Sequence, residues 1–251
     1  MTELLIWAYP VAVVLTGYVV LGITGFGSAL VIVPLLAWRW PLAEVVPLAL
    51  LMDVAASALM GRLNLALVRW DVLRQLAPGM LLGGVLGLWL FQRTPSAWPL
   101  LALGVYVAWV GLRALRQVAA ADEPAPASAW LGALYGLGVG LVQVAFGTAG
   151  PLVLAWLARR SVPALAVRAS TPVIMLVVAA FVLALFAADG RLASGVLWQR
   201  VLVLMPVALA GVWLGHAVAG RLNAAHLRRA ICALLVLSGG LLVLNALRQL
   251  I

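Results

Sequence analysis

Two stretches of 35 residues, 4–38 and 124–158, carry no formal charge. A helix needs about 20 apolar residues to cross a ~30 Å hydrocarbon core. Neither stretch fits that core as one straight helix, which would measure about 52 Å at 1.5 Å per residue. Two full crossings would need about 40 residues and a turn. Each stretch is therefore expected to hold one span followed by a shorter, broken or re-entrant helix. Five further charge-free stretches, 75–92, 94–112, 169–188, 201–220 and 230–247, run 18 to 20 residues, one crossing each. Residues 45–61 are similar in length but include Asp53. The expected fold class is an all-α polytopic membrane protein of two homologous halves, with about 8–10 membrane helices including the broken or re-entrant ones.

Composition agrees. Of the 251 residues, 66% are hydrophobic and 9% charged, against about 45–50% apolar and about 25% charged in a soluble domain. That excludes an ordinary soluble enzyme, a disordered tail and a coiled coil. Sixteen basic residues, all arginine, against seven acids leave a net charge of +9. Nucleic acid is not the expected partner, because the arginines sit singly or in pairs between apolar runs, where loops of a polytopic protein carry positive charge. The expected partner is the lipid bilayer, which the chain is expected to cross several times. Cys232 is the only cysteine, so no intrachain disulfide or thiolate metal cluster can form. The N-terminus lacks a basic n-region and a small-residue cleavage site, so the first apolar run is expected to stay as a span. Trp38, Trp40, Trp70, Trp98, Trp130, Trp156 and Trp198 fall at run ends, as an interfacial belt requires.

Both long stretches contain residues that interrupt a helix. The first has Gly22-Ile23-Thr24-Gly25-Phe26-Gly27-Ser28, and the second has Gln143-Val144-Ala145-Phe146-Gly147-Thr148-Ala149-Gly150-Pro151. Glycine permits non-helical dihedrals and proline removes a backbone donor. The breaks are also copies: Phe26-Gly27-Ser28 recurs 120 residues on as Phe146-Gly147-Thr148. Trp70, Pro78, Gly83, Leu86, Gly87 and Gly111 recur 128 residues on as Trp198, Pro206, Gly211, Leu214, Gly215 and Gly239. The chain therefore divides into a first repeat at 1–116, a linker at 117–129 with Asp122, Glu123, Pro124 and Pro126, and a second repeat at 130–251. If each long stretch crosses twice, a half has five crossings and the arginines split 10 to 5 between the two sides, with Arg168 set aside. One crossing per stretch gives 7 to 8. The positive-inside bias thus favours inverted repeats with an external N-terminus. Inverted repeats with discontinuous helices are a recurring transporter design, in which both breaks near a pseudo-two-fold axis build one site and one half rocks against the other.

The run Gly22-Ile23-Thr24-Gly25-Phe26-Gly27-Ser28-Ala29-Leu30-Val31-Ile32-Val33-Pro34 resembles the glycine-rich, Val-Pro-ended signature of the TauE/SafE family of membrane permeases. The segment Pro163-Ala164-Leu165-Ala166-Val167-Arg168-Ala169-Ser170-Thr171 resembles its second stretch. Phe26 and Ser28 stand where that signature is usually denser in glycine. The resemblance covers essentially the whole chain. It implies a permease that moves sulfite, an organosulfonate or another small sulfur-containing anion across the bacterial inner membrane.

The candidate substrate-binding residues follow from the breaks. Gly25, Phe26, Gly27 and Ser28, and Phe146, Gly147 and Thr148, precede helix N-termini whose free N–H groups and partial positive charge suit an anion. The plainer role for Ser28 and Thr148 is helix capping or a bond back to a carbonyl. Gln143 can donate to substrate oxygens or bond another helix. Arg168 has the planar fork that matches a sulfonate, or snorkels to the interface. Ser170 and Thr171, ahead of Pro172, are further candidates. Asp53 is either a coupling carboxylate inside the membrane or an acid near an interface. The coupling ion would be a proton or sodium, and oligomerisation stays open. Gly79, Gly83, Gly87, Gly211 and Gly215 form small-residue faces expected to pack helices closely. Gly136-Leu137-Gly138-Val139-Gly140 lacks the spacing and strand of a dinucleotide fingerprint. His216 is expected to be hydrogen-bonded inside the bundle, with a proton carrier as the alternative, and His226 is expected in a loop. No catalytic pair, metal cluster, Walker A motif or cofactor site is readable. The alternatives to a carrier are an embedded enzyme or assembly factor for lipid or sulfur intermediates, and an anion channel, although no charge ring is visible.

Overall fold

The structure is a computed structural model describing residues 2–25, 27–61, 65–94, 97–116, 128–160, 162, 164–219 and 224–250. Among these residues all regular structure is helical. In chain order the helices are α1 (Thr2–Thr24), α2 (Ser28–Leu36), α3 (Leu42–Gly61), α4 (Trp70–Gln92), α5 (Ala97–Arg116), α6 (Ala129–Phe146), α7 (Gly150–Arg159), α8 (Ala164–Ala188), α9 (Gly195–Val218) and α10 (Ala224–Leu250). Trp7–Thr24, Leu42–Leu59, Trp70–Gln92, Ala169–Ala188 and Gly195–Val218 are long and apolar enough to cross a membrane. Shorter apolar stretches, Ala97–Arg113, Trp130–Phe146 and Leu235–Arg248, lie in α5, α6 and α10.

Each long charge-free stretch is one full helix, a glycine break and one short helix. Helix α2 has 9 residues and α7 has 10, so each is about 14–15 Å long and spans roughly half the hydrocarbon core. Residues 117–127 of the expected linker lie outside the described residues; Ser128 is the N-cap of α6.

The chain forms two compact units, and each takes helices from both halves of the sequence. Unit 1 comprises Met1–Val45, Thr94–Ala120 and Val196–Ile251, and unit 2 comprises Val46–Arg93 and Ala121–Gly195. Unit 1 therefore holds α1, α2, α5, α9 and α10. Unit 2 holds most of α3 with α4, α6, α7 and α8.

Glycines set the close packing inside each unit. In unit 2, a Cβ at Gly79 would collide with the Ala133 carbonyl, at Gly83 with that of Leu137, and at Gly140 with that of Met80. Higher numbers on α4 meet higher numbers on α6, so these two helices run parallel. In unit 1, a Cβ at Gly215 would strike the Val19 carbonyl, and one at Gly211 would lie 2.9 Å from Tyr18 Cβ. Helices α9 and α1 are parallel too. Also in unit 1, Gly104 faces Gly239 and Val243, whereas Gly111 faces Cys232 and Leu235. Rising numbers on α5 meet falling numbers on α10, so this pair is antiparallel. The glycine faces thus serve helix packing, as small residues do where lipid tails offer no hydrophobic drive.

Two expectations fail. Trp38, Trp70, Trp98, Trp130 and Trp198 are exposed, but Trp156 is 2% exposed. It belongs to short α7, which is folded back into unit 2, and its ring lies 5.1 Å from that of Tyr135. His216 is exposed on α9, because the buried stripe of that helix runs through Ala208, Gly211, Val212 and Gly215.

Candidate functional site

The second break lies entirely within unit 2. Helix α6 ends at Phe146, and Gly147 turns the chain with φ 66°, a left-handed conformation that a Cβ would strain. The Gly147 N–H donates to the Gln143 carbonyl at 2.8 Å, closing the end of α6. Ala149 is the N-cap of α7, and Pro151 occupies its first turn, where a missing N–H costs nothing. Neither Thr148 nor Ser28 caps a helix: the N-cap positions belong to Ala149 and Gly27, and no side-chain cap bond forms at either.

Gln143 holds this break together. It is fully buried, and its Oε1 accepts the Ala149 N–H at 3.0 Å. The carboxamide is planar, so this bond also fixes where its amide nitrogen points. Gln143 Nε2, buried, finds no acceptor among the described residues. A carboxamide nitrogen carries two N–H donors. Buried donors left unmade cost about 1–3 kcal/mol, which a bound acceptor would recover. The expected helix–helix bond from Gln143 is not formed among the described residues; its oxygen serves its own break.

Around the break, Phe146 is buried and packs edge-on against Phe91, with ring centroids 5.9 Å apart. A Cβ at Gly147 would lie 3.7 Å from Val46 and 3.8 Å from Leu50 of α3. Val46, Leu50, Asp53 and Ser57 follow the i, i+4, i+7, i+11 spacing of one helix face. Asp53 and Ser57 are both buried, and Asp53 is near the middle of α3.

The α8 candidates divide. Ser170 is buried, and its Oγ accepts the Arg69 backbone N–H at 2.9 Å, tying the chain ahead of α4 to α8. Thr171, also buried, donates to the Val167 carbonyl at 2.8 Å, so its proton is used within its own helix. Arg168 lies on α8, but its side chain is outside the described residues.

The first break lies in unit 1. Gly25 and Gly27 both have positive φ, 83° and 96°, and Phe26 between them is outside the described residues. Ser28 is buried and is the first residue of α2. The position equivalent to Gln143 is Ile23.

At one end of unit 2 stand several charges. Arg69 holds Asp71 through two bonds of 2.9 and 2.8 Å, and Arg160 lies 3.9 Å from the same carboxylate. That partner raises the Arg69 guanidinium above its usual range. Arg159 donates to the Tyr135 hydroxyl at 3.1 Å. Two buried polar atoms near this end, Trp156 Nε1 and Gln75 Oε1, also lack partners among the described residues. Sequence reasoning missed both, taking Trp156 for an interfacial anchor. A glutamine inside an apolar run was the available signal for Gln75.

Among the described residues no group of three or more His, Cys, Asp or Glu side chains could hold a metal ion. The geometry offers donors for an anion at a helix break.

The profile of the family described as "Sulfite exporter TauE/SafE" matches residues 9–242. The "Probable inner membrane transporter protein TsaS" of Comamonas testosteroni is 39% identical over 192 residues, covering 76% of this chain and 80% of that protein. No solved structure matches the chain.

Proposed function

The chain belongs to the sulfite exporter TauE/SafE family, and from that premise we propose an inner-membrane secondary carrier for a small sulfur oxyanion, sulfite or an organosulfonate, bound at the break between α6 and α7. The observation that carries this reading is Gln143. Its oxygen is engaged by Ala149, and its two amide hydrogens stay buried without an acceptor among the described residues. An oxyanion supplies acceptors and no demand for an acceptor in return. The N–H groups that open α7 add donors and a partial positive charge. Gly147 permits the turn, Phe146 and Phe91 wall it, and Thr148 stands beside it. Arg168 offsets charge, and Ser170 and Thr171 hold the backbone around it. Ser28, with Gly25, Phe26 and Gly27, makes an equivalent cradle in unit 1. Asp53, buried one turn beyond Leu50, carries the coupling cation, a proton or sodium.

The repeats are read as inverted. Helices α5 and α10 are equivalent by the 128-residue offset, and they pack antiparallel. Under that offset, the Gly104–Gly239 contact maps onto the Cys232–Gly111 contact. Two copies related by an axis along the membrane normal would make equivalent helices parallel, so the antiparallel pair supports an axis in the membrane plane. Alternating access then keeps α1 with α9 and α4 with α6. Separating the two sequence halves would break the glycine contacts of both pairs.

The test is flux in proteoliposomes with sulfite, thiosulfate, sulfoacetate and sulfate, with and without proton or sodium gradients. Saturable, gradient-dependent movement of a sulfur anion is the expected result. No flux of any of them in sealed vesicles overturns the substrate class. Product formation instead would identify an enzyme, and non-saturable flux a channel.

A further inference from the structure

Unit 1 holds a cavity that neither its glycine break nor its packing seams use. It measures about 230 Å3 and is lined by Trp7, Trp40, Val196, Gln199 and Arg200, all of them residues of unit 1. The spans give its depth. The crossing stretches of α1 and α9 begin at Trp7 and Gly195, and the two helices run parallel. The cavity therefore sits where both enter the bilayer, at the level of lipid headgroups. The Trp7 and Trp40 rings meet edge to face, with centroids 6.4 Å apart, and make an aromatic corner. The Arg200 guanidinium lies over the Trp40 ring, 4.1 Å from its centroid. Its Nη1 donates to the Glu44 carboxylate.

That bond leaves Arg200 with donors. A guanidinium carries five N–H groups, and among the described residues Nε and Nη2 donate to nothing. The Glu44 side chain is 45% exposed, so its carboxylate can accept a further donor. Gln199 is exposed at the mouth of the cavity. One cation beside one anion leaves the lining neutral, and a zwitterion keeps it so. The volume is below the roughly 300–1,000 Å3 that drug-sized ligands fill, so it suits a headgroup rather than a whole lipid. Val196 and Val203 are exposed on α9, and with Gln199 they follow the i, i+3, i+7 spacing of one helix face. That apolar strip leads from the cavity into the hydrocarbon level.

We propose that this corner binds the headgroup of a zwitterionic phospholipid. Its phosphate accepts from Arg200 and Gln199. Its ammonium sits between the Glu44 carboxylate and the Trp7 ring. An acyl chain lies along Val196 and Val203. One lipid thereby ties together α1, the turn between α2 and α3, and α9. The site rests on the chain's place in a membrane and not on the carrier reading.

The test is native mass spectrometry of the delipidated full chain in detergent, offered dioleoyl phosphatidylethanolamine, phosphatidylcholine or phosphatidylglycerol. Phosphatidylethanolamine should be retained best. The ammonium of phosphatidylcholine has no N–H for Glu44, and phosphatidylglycerol brings an unbalanced negative charge. Arg200→Gln should weaken retention about tenfold or more. Glu44→Gln should invert the ranking in favour of phosphatidylglycerol, which a merely structural role for Glu44 would not do. If Arg200→Gln does not fold, Gln199→Leu at its exposed position should weaken retention about fivefold. Soluble phosphoethanolamine should not displace the lipid; displacement would make a free phosphate ester the occupant and overturn the lipid. Equal retention of the three lipids, or a ranking unmoved by Glu44→Gln, overturns the site. A protein that retains phosphatidylethanolamine but moves no sulfur anion would sink the carrier reading and leave the lipid site standing.

Discussion

The two breaks carry the same Phe-Gly-hydroxyl motif, yet their chemistry differs. In unit 1 the chain turns through two left-handed glycines, Gly25 and Gly27, and the helix starts directly at Ser28. In unit 2 one left-handed glycine suffices, because the Gln143 carboxamide bonds the Ala149 N–H and holds the turn from within. Ile23 in the matching position can do nothing of the kind. The first break relies on backbone freedom, the second on a buried polar side chain with donors to spare. The packing seams did not diverge in this way. In each unit a step of four residues along the glycine face meets a step of four on the partner: Gly83 and Gly87 on α4 meet Leu137 and Leu141 on α6, and Gly211 and Gly215 on α9 meet Leu15 and Val19 on α1.

The largest expected effect tests the shared seams. Gly79→Leu in unit 2 and Gly215→Leu in unit 1 each drive a side chain into a facing carbonyl, at a cost of about 3 kcal/mol or more. Both should lose the monodisperse peak in size-exclusion chromatography. Survival of one and collapse of the other would end the equivalence of the seams.

Next is the contrast between Gln143 and Ile23. Gln143→Leu removes a hydrogen bond to a charged ligand, about 1.5–3 kcal/mol, so the KM for the transported anion should rise about 10- to 100-fold. Ile23→Leu should leave it unchanged. A normal KM in Gln143→Leu would move the recognition site elsewhere.

Backbone strain is a smaller effect. Gly147→Ala forces an L residue into the left-handed region at about 1–2 kcal/mol. Gly147→Asn should cost less, since asparagine tolerates φ near 66°. Gly27, at φ 96°, lies further from that basin and should accept Asn less well. Thermal melts of the four variants, including Gly27→Ala, rank these costs. An equal tolerance for Asn at both positions would erase the distinction between the breaks.

The smallest effect concerns α8. Ser170→Ala leaves the Arg69 N–H without its acceptor and should cost about 1 kcal/mol in stability with the KM little changed. A large rise in KM at unchanged stability would make Ser170 a substrate ligand rather than a latch.

The membrane class, the interrupted helices and the places of both breaks follow from sequence alone. The reason is that a bilayer imposes one length scale, and glycine and proline mark where a helix cannot continue within it. Gln143 was readable as a polar residue beside a break, but not its role. That role depends on Ala149 returning its N–H to the side chain, which only the turn at Gly147 arranges. The burial of Trp156 was illegible for the same reason: interfacial and folded-back tryptophans look alike in a charge-free run, and only the packing of α7 on α6 tells them apart. The sequence likewise carries the same motifs in both halves. The tertiary structure decided that each compact unit takes segments from both halves. Gly79, Gly83, Gly211 and Gly215 bring α4 to α6 and α9 to α1, and a glycine in the sequence names no partner; the backbone that can come close enough to touch it does.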